Sequence, residues 1–380
     1  MNKKELISNL VSLKSKSGNH SPSLKEIEKI VGKDCIKIDA CFLSNPYATD
    51  LIYKHKFLEN INSNFIKLIE SYPPNQDFLL KKLSKIENIN PKYSLVMSGA
   101  QNCIEILMEK INYKNCLLPI PTYSSYYESL RKDAKMHYFN LYEENNFHIK
   151  QDELFTSISE NNIDLLVLIN PNNPTGVQIN GELILYIIKK FPDLKIIIDE
   201  SFIHFIEEWD NWIHLRMKLS KNKNIFFVKS MSKDFGIAGL RIGYLETRNK
   251  LINELKGKYG TWSLNNFAVE VLNIMSSEIF ILEYQKIRKK YLDEKKYFYK
   301  SLKTINSIKV FPSDSNFFLI KVKNDNSNGF KTAMEILVDD GLYIRSMEDK
   351  IGLDSSYFRV ACRSKTENEK IFEVLRKKFD

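Results

Sequence analysis

Ile225-Phe226-Phe227-Val228 runs into Ser230-Met231-Ser232-Lys233-Asp234-Phe235-Gly236-Ile237-Ala238-Gly239-Leu240-Arg241-Ile242-Gly243-Tyr244, so a wholly apolar run ends at a lysine between hydroxyls, glycines and an arginine. The same grammar recurs upstream. Leu95-Val96-Met97 ends at Ser98-Gly99, and Cys116-Leu117-Leu118 ends at Pro119. Leu165 to Ile169 ends at Asn170-Pro171, and Lys195-Ile196-Ile197-Ile198 ends at Asp199-Glu200. Near-continuous apolar runs suit strands buried on both faces, hence parallel strands joined by helices. The fold class predicted is α/β: a mostly parallel central sheet flanked by helices, with a smaller α+β domain.

The division expected along the chain is residues 1–45 as an N-terminal segment packing on the small domain, 46–266 as the large domain and 267–380 as the small C-terminal domain. Past Phe267 a Lys/Glu-rich stretch from Glu278 to Lys303 has helical spacing. Strand candidates Phe317–Ile320 and Leu342–Ile344 follow, then a terminal helix from Thr366.

The 380 residues are 43% hydrophobic, enough for a large core. Fifty-six Lys+Arg against 47 Asp+Glu leave a net charge of +9, which permits an acidic ligand or nucleic acid and requires neither. The lysines are scattered among Asn and Ile, so no nucleic-acid partner is expected. Cys35, Cys41, Cys103, Cys116 and Cys362 are odd in number and widely spread, with no CxxC pair. That pattern points to reduced thiols in a cytoplasmic protein, without a disulfide frame or metal site. Met1-Asn2-Lys3-Lys4-Glu5 opens no apolar signal, and the longest apolar runs fall far short of a membrane span.

In an open α/β sheet ligands bind beyond the carboxyl ends of the strands. Ser98-Gly99, Asn173, Asp199 and Ser230 to Lys233 are therefore expected together. A lysine amine condenses with an aldehyde to a Schiff base, while serine hydroxyls and an arginine fork bind phosphate. Lys233 within its segment thus suits an aldehyde cofactor carrying a phosphate. Asp199 follows an apolar strand, so it should be partly buried and in need of a cationic partner. A protonated pyridine nitrogen would serve.

The order Asn173-Pro174-Thr175-Gly176, then Asp199, then Ser230-x-Ser232-Lys233 with Arg241 eight residues on resembles the fold-type I pyridoxal-phosphate enzymes of the class I/II aminotransferase superfamily over roughly residues 40 to 375. The resemblance implies pyridoxal 5'-phosphate as cofactor. It implies that Lys233 forms the Schiff base and later shuttles protons, and that Asp199 pairs with the ring nitrogen. Asn173 would donate to the phenolic oxygen, and Tyr123 would stack on the ring. Gly99-Ala100-Gln101 would hold the phosphate at a helix start, with Ser230, Ser232 and Arg241 completing the cup. Tyr72, before Pro73, would reach the phosphate of a neighbouring subunit, which implies a homodimer with shared sites. Arg359 would grip the substrate's carboxylate or other anion.

Within that superfamily the texture resembles the group joining histidinol-phosphate aminotransferases to threonine-phosphate and serine-phosphate decarboxylases. Asn45-Pro46-Tyr47 is similar to the Asn-Pro-Tyr-Gly start of the former, with Ala48 replacing the glycine. Four departures favour the latter. Phe202 stands where most aminotransferases carry tyrosine. Arg363 follows Arg359 by four, a spacing that on an extended strand puts both on one face. Trp262-Ser263-Leu264-Asn265 resembles a Trp-Ser-Val-Asn stretch, and Gly18-Asn19-His20 resembles a His-Gly-Gly-Asn segment that helps bind substrate phosphate. Arg345 adds a cation at the same mouth. The expected function is decarboxylation of serine phosphate or threonine phosphate, through substrate contacts from Arg359, Arg363, Arg345, Asn45, Asn19 and His20. The alternative is an aminotransferase for histidinol phosphate or a related phosphorylated amine or ketone. A catalytically silent module of the same fold is a third reading, opposed by the intact Lys233, Asp199, Asn173 and Arg241.

Overall fold

The computed structural model describes residues 2–323 and 328–380. It contains β1 (Ile38–Asp39), β2 (Ser94–Met97), β3 (Asn115–Ile120), β4 (Lys135–Asn140), β5 (Leu165–Ile169), β6 (Lys195–Asp199), β7 (Ile225–Ser230) and β8 (Gly243–Glu246). Five more follow: β9 (Ile308–Val310), β10 (Phe317–Val322), β11 (Leu342–Tyr343), β12 (Arg345–Ser346) and β13 (Tyr357–Ala361). Strands β2 to β8 form one sheet in the order β2-β8-β7-β6-β5-β3-β4. Only β8 runs against its neighbours; the other pairings are parallel.

The apolar runs form buried strands because their alternate residues enter two different cores. Leu166 and Leu168 of β5, Ile196 and Ile198 of β6, and Ile225 and Phe227 of β7 belong to one cluster. Leu165, Val167 and Ile169, Ile197, and Phe226 and Val228 belong to the other, on the opposite face. Each such side chain stabilises the fold by roughly 1.5–3 kcal/mol relative to exposure, which is why no polar alternation is seen.

A second sheet, β12-β13-β10-β9, is antiparallel throughout. The N-terminal helix Lys3–Lys16 lies against the helix Gly329–Asp340, and its Ile7 and Leu10 share a core with Leu337, Phe318 and Val360. β1 extends this side by pairing in parallel with β11. The long helix Glu278–Leu302 connects the two halves: Phe280 and Tyr284 pack with Val96 and Tyr244 of the large sheet, and Tyr291, Phe298 and Leu302 pack with the small one. The chain therefore changes packing partner inside that helix, not at its start.

Candidate active site

The carboxyl ends of β5, β6 and β7 open into one cavity. Register sets Ile169 beside Asp199 and Asp199 beside Val228, so Asp199 emerges between Asn170 and Ser230 at a common level. Lys233, Asp199, Asn173, Tyr123, Phe202 and Ser232 all line this cavity. So do Ala100, Gln101, Ser230, Arg241, Arg359, Arg345, Asn19 and His20.

Asp199 is buried and is matched by neutral donors only: the Tyr126 hydroxyl donates to Oδ2 at 2.9 Å and the Ser201 amide to Oδ1 at 2.9 Å. No cation lies within ion-pair distance among the described residues. Burial pushes its carboxyl up, against the pull of those hydrogen bonds and of Lys233. Lys233 shows the complementary shift. Burial, then the charges of Arg359 and Arg241, lower its amine to about 8. A buried acid without a base and a buried amine freed towards neutrality fit a cationic ring nitrogen at one end and a carbonyl carbon at the other.

Between them lies a cradle for an anion. The helix Ala100–Lys110 begins at Gly99, which has φ 87° and gives no side-chain cap, leaving its first amides to a ligand. A Cβ at Gly99 would stand 2.5 Å from a terminal nitrogen of Arg241, so only glycine admits that guanidinium. Gly243 is similarly required: a Cβ there would meet the Ala100 amide nitrogen at 2.4 Å. Ser230 Oγ accepts from the Ser232 amide, while the buried Ser232 hydroxyl has no partner. An unpartnered buried hydroxyl, free helix-start amides and an arginine suit a phosphate. The residues thus fit pyridoxal phosphate at both ends.

The wall across the cavity comes from the small sheet. Arg359 on β13 donates to Asn173 Oδ1 at 2.7 Å and to the Cys41 carbonyl at 2.8 Å, and its buried Nε is unpartnered. With Oδ1 so engaged, the Asn173 amide nitrogen is the end left to donate. Arg345 is the register partner of Arg359 across β12 and β13. It donates to the Asn19 carbonyl and to Asp349. Asn19 and His20 reach Glu128 at 2.8 and 3.3 Å and close the cavity from the N-terminal side.

Two residues expected at this cavity stand elsewhere, and Tyr72, expected at a neighbouring subunit's phosphate, stands outside it. Arg363 does not line the cavity. β13 ends at Ala361, so the extended geometry that would align Arg363 with Arg359 is lost, and the guanidinium is taken by Glu367 and the Ser44 carbonyl. The two-arginine pair at the cavity is Arg345 and Arg359. Asn45 does not line it either: its Oδ1 caps the helix Pro46–Lys54 and its amide donates to the Asp234 carbonyl, while its backbone N–H donates to the Lys233 carbonyl. It therefore holds the lysine loop from behind. Tyr72 is 76% exposed and stacks on Trp262 at 4.3 Å, outside this cavity. Sequence reading missed Lys350, which lines the cavity and donates to the Asn19 carbonyl at 2.7 Å, and Tyr126, the second donor to Asp199. Tyr126 lies three residues past Tyr123 and was visible as part of the same Tyr-rich turn; no sequence signal separates Lys350 from other lysines.

Comparison with known proteins gives the family and the fold. The sequence model of the family described as aminotransferase class I and II matches residues 63–377. The chain is 35% identical to the L-serine phosphate decarboxylase of Campylobacter jejuni, over 98% of this chain and 96% of that protein. It is 35% identical to the L-serine phosphate decarboxylase of Sulfurospirillum multivorans, over 96% of this chain and 94% of that one. The solved structure of a decarboxylase from Sulfurospirillum multivorans superposes with a TM-score of 0.91 at 34% identity, covering 99% of this chain and 97% of the other. With the Lys233–Asp199 pair at the strand ends and a match across most of its length, the chain belongs to the class I and II aminotransferase family.

Proposed function

We propose that this protein is a pyridoxal-phosphate-dependent lyase that decarboxylates O-phospho-L-serine to phosphoethanolamine and carbon dioxide. The observation that carries the reading is the facing pair Arg345 and Arg359 above Lys233: two guanidinium groups suit a substrate with both carboxylate and phosphate. The two relatives named for serine phosphate, alike over nearly their whole length, favour that substrate. Threonine phosphate differs by one methyl group, worth about 1–3 kcal/mol in a pocket.

When bound, pyridoxal phosphate supplies an electron sink for whichever substrate bond stands perpendicular to its ring. The chain's residues do the rest. Asp199 would keep a proton at the ring nitrogen, and Tyr126 and the Ser201 amide fix the orientation of that carboxylate. Tyr123 forms the wall over the ring position, with its hydroxyl 3.4 Å from Gln101 Oε1. Arg359 orients Asn173, whose amide would then donate to the phenolic oxygen. Lys233 Nζ would return a proton to Cα once carbon dioxide has left. Phe202, apolar where a hydroxyl would add a donor, keeps that side of the cavity dry.

The same reading makes the protein a homodimer. The helix Phe57–Glu70 buries none of its residues and exposes Leu58, Phe65, Ile66 and Ile69, and Tyr72 and Trp262 continue that apolar strip. A strip of this kind suits a second copy, towards whose phosphate cradle Tyr72 would extend. Five free cysteines, four of them buried, accord with a cytoplasmic setting. Among the described residues no helix is long and apolar enough to cross a membrane.

The test is carbon dioxide trapping with assay of the amine product. Release of carbon dioxide and phosphoethanolamine from O-phospho-L-serine, with no keto acid added, is the expected result. Loss of the cofactor's aldehyde absorbance on adding glutamate, without gas release from either phosphorylated amino acid, would replace this reading by transamination.

A further inference from the structure

The cavity mouth holds more positive charge than its own carboxylates compensate. Arg345, Lys350 and Arg359 line it, and Lys14 adjoins them through Asp349. Asp349 is the one carboxylate within ion-pair distance of any of them among the described residues, and it is shared by Lys14 at 2.9 Å and Arg345. Lys350 has no carboxylate partner. Its amine is buried and donates to the Asn19 carbonyl, 2.7 Å away, which also accepts from Arg345 at 3.1 Å. Two cations converging on one neutral carbonyl leave donors unspent and charge unbalanced. Burying such a cation costs stability unless an anion completes it.

Depth separates the cations into two sets. Arg359 touches Asn173 at the end of β5 and is close enough to Lys233 to lower its amine. Arg345 and Lys350 both meet Asn19 on the N-terminal strap, and the charges that chiefly lower the Lys233 amine are those of Arg359 and Arg241. The carboxylate of an amino acid lies on Cα, next to the reacting bond, whereas an O-phosphate sits two bonds beyond Cβ.

We propose that Lys350 is a substrate-binding residue that forms the phosphate subsite together with Arg345, leaving Arg359 and Asn173 for the carboxylate. This rests on the phosphorylated amino-acid reading and deepens it: Lys350 makes the site selective for a doubly charged phosphate over an unphosphorylated side chain. Its chemistry agrees with that role. Burial, against the pull of Asp349 and with Arg345 and Arg359 nearby, lowers its amine to about 8, whereas the dianion would favour the charged form.

The experiment compares Lys350→Met and Lys350→Arg with the wild-type holoenzyme, following the change in cofactor absorbance as ligand is added, a readout that needs no turnover. Loss of one charge-assisted contact should raise the dissociation constant of O-phospho-L-serine, and the inhibition constant of inorganic phosphate, by about tenfold or more in Lys350→Met. L-serine, which has a carboxylate but no phosphate, should bind the variant and wild type alike. Lys350→Arg should recover most of the phosphate affinity. Cofactor affinity and melting temperature should stay as in wild type. Unchanged O-phospho-L-serine and phosphate affinity in Lys350→Met, or an equal loss for L-serine and O-phospho-L-serine, would overturn the assignment. Should the wild type bind O-phospho-L-serine and release no carbon dioxide, the decarboxylase reading fails, while the same titrations still decide the role of Lys350.

Discussion

Arg345 and Arg359 stand directly opposite one another on antiparallel β12 and β13. Like charges in that relation destabilise a sheet by roughly 0.2–1 kcal/mol. Arg345 is offset by Asp349, but Arg359 has only neutral acceptors, and burial lowers its guanidinium to about 10. An unoffset buried cation beside the reactive lysine is a place kept for an anion. Arg359→Met should therefore raise the substrate KM by about 10–100-fold, the cost of a lost charge-assisted hydrogen bond. It should leave the melting temperature of the ligand-free protein level or higher. Steady-state kinetics and calorimetry on the same preparation check both.

Arg363 serves as the control. Its guanidinium is engaged by Glu367 and by the Ser44 carbonyl. Arg363→Gly should leave KM within about twofold while lowering stability by about 0.5–1.5 kcal/mol, the range for a half-buried ion pair and one hydrogen bond. A KM increase comparable to that of Arg359→Met would place Arg363 in the substrate contacts after all.

Lys233→Ala should reduce turnover by about 1000-fold or more and leave the circular-dichroism spectrum intact. The lysine's lowered value carries a second consequence. Its neutral form is the nucleophile, so the rate at which apoprotein takes up pyridoxal phosphate should rise about tenfold per pH unit below the lysine's value of about 8 and level off above it. For stability the sign is separate. An amine lowered on folding costs stability while it is protonated, and that cost is relieved as pH rises through about 8 towards the ordinary lysine value. Stopped-flow absorbance across pH 6 to 9 would show the uptake profile, and a flat profile would contradict it.

Asp199→Asn should act in opposite directions on two forms of the protein. Without cofactor, it removes a buried acid that has hydrogen bonds but no cation, so the apoprotein should melt at a higher temperature. With cofactor, it removes the counter-charge of the ring nitrogen, so turnover should fall by about 100-fold or more. Equal melting shifts in both forms would argue against a charge role.

A buried cluster beneath the lysine loop should govern stability. Lys229 lies 2.9 Å from Asp234 and 3.1 Å from Glu87, and His204 bridges the same two carboxylates at 3.2 and 3.3 Å. Glu87, His204 and Asp234 approach as metal ligands do, but the Lys229 ammonium already stands beside both acids. Lys229→Met would strand both acids, and urea unfolding should show a loss of about 3–5 kcal/mol. A loss below 1 kcal/mol would mean that water or His204 takes over the charge.

Legibility followed distance along the chain. The sheet could be read because apolar strands of five residues and their polar ends are local patterns, and Lys233, Asp199, Asn173 and the Ser230-Ser232-Arg241 set sit at those ends by strand geometry alone. Residues outside that rule were read less well. Arg363 was paired with Arg359 by extending a strand that stops at Ala361. Asn45 was read as a substrate contact although it caps a helix and supports the Lys233 loop.

Apolar runs and strand ends thus determined the fold class and brought Lys233 and Asp199 to one edge of the sheet, where the family resemblance proposes a Schiff-base lysine and a partner for the cofactor ring, since each position depends on a few neighbouring residues and on where a parallel strand must end. The cations proposed to meet the substrate come together only where the small sheet and the N-terminal strap close over the large one. Arg345, Arg359, Lys350 and Asn19 come from segments up to 340 residues apart. Their shared deficit of negative charge exists only once burial has stripped away the water that would otherwise screen it.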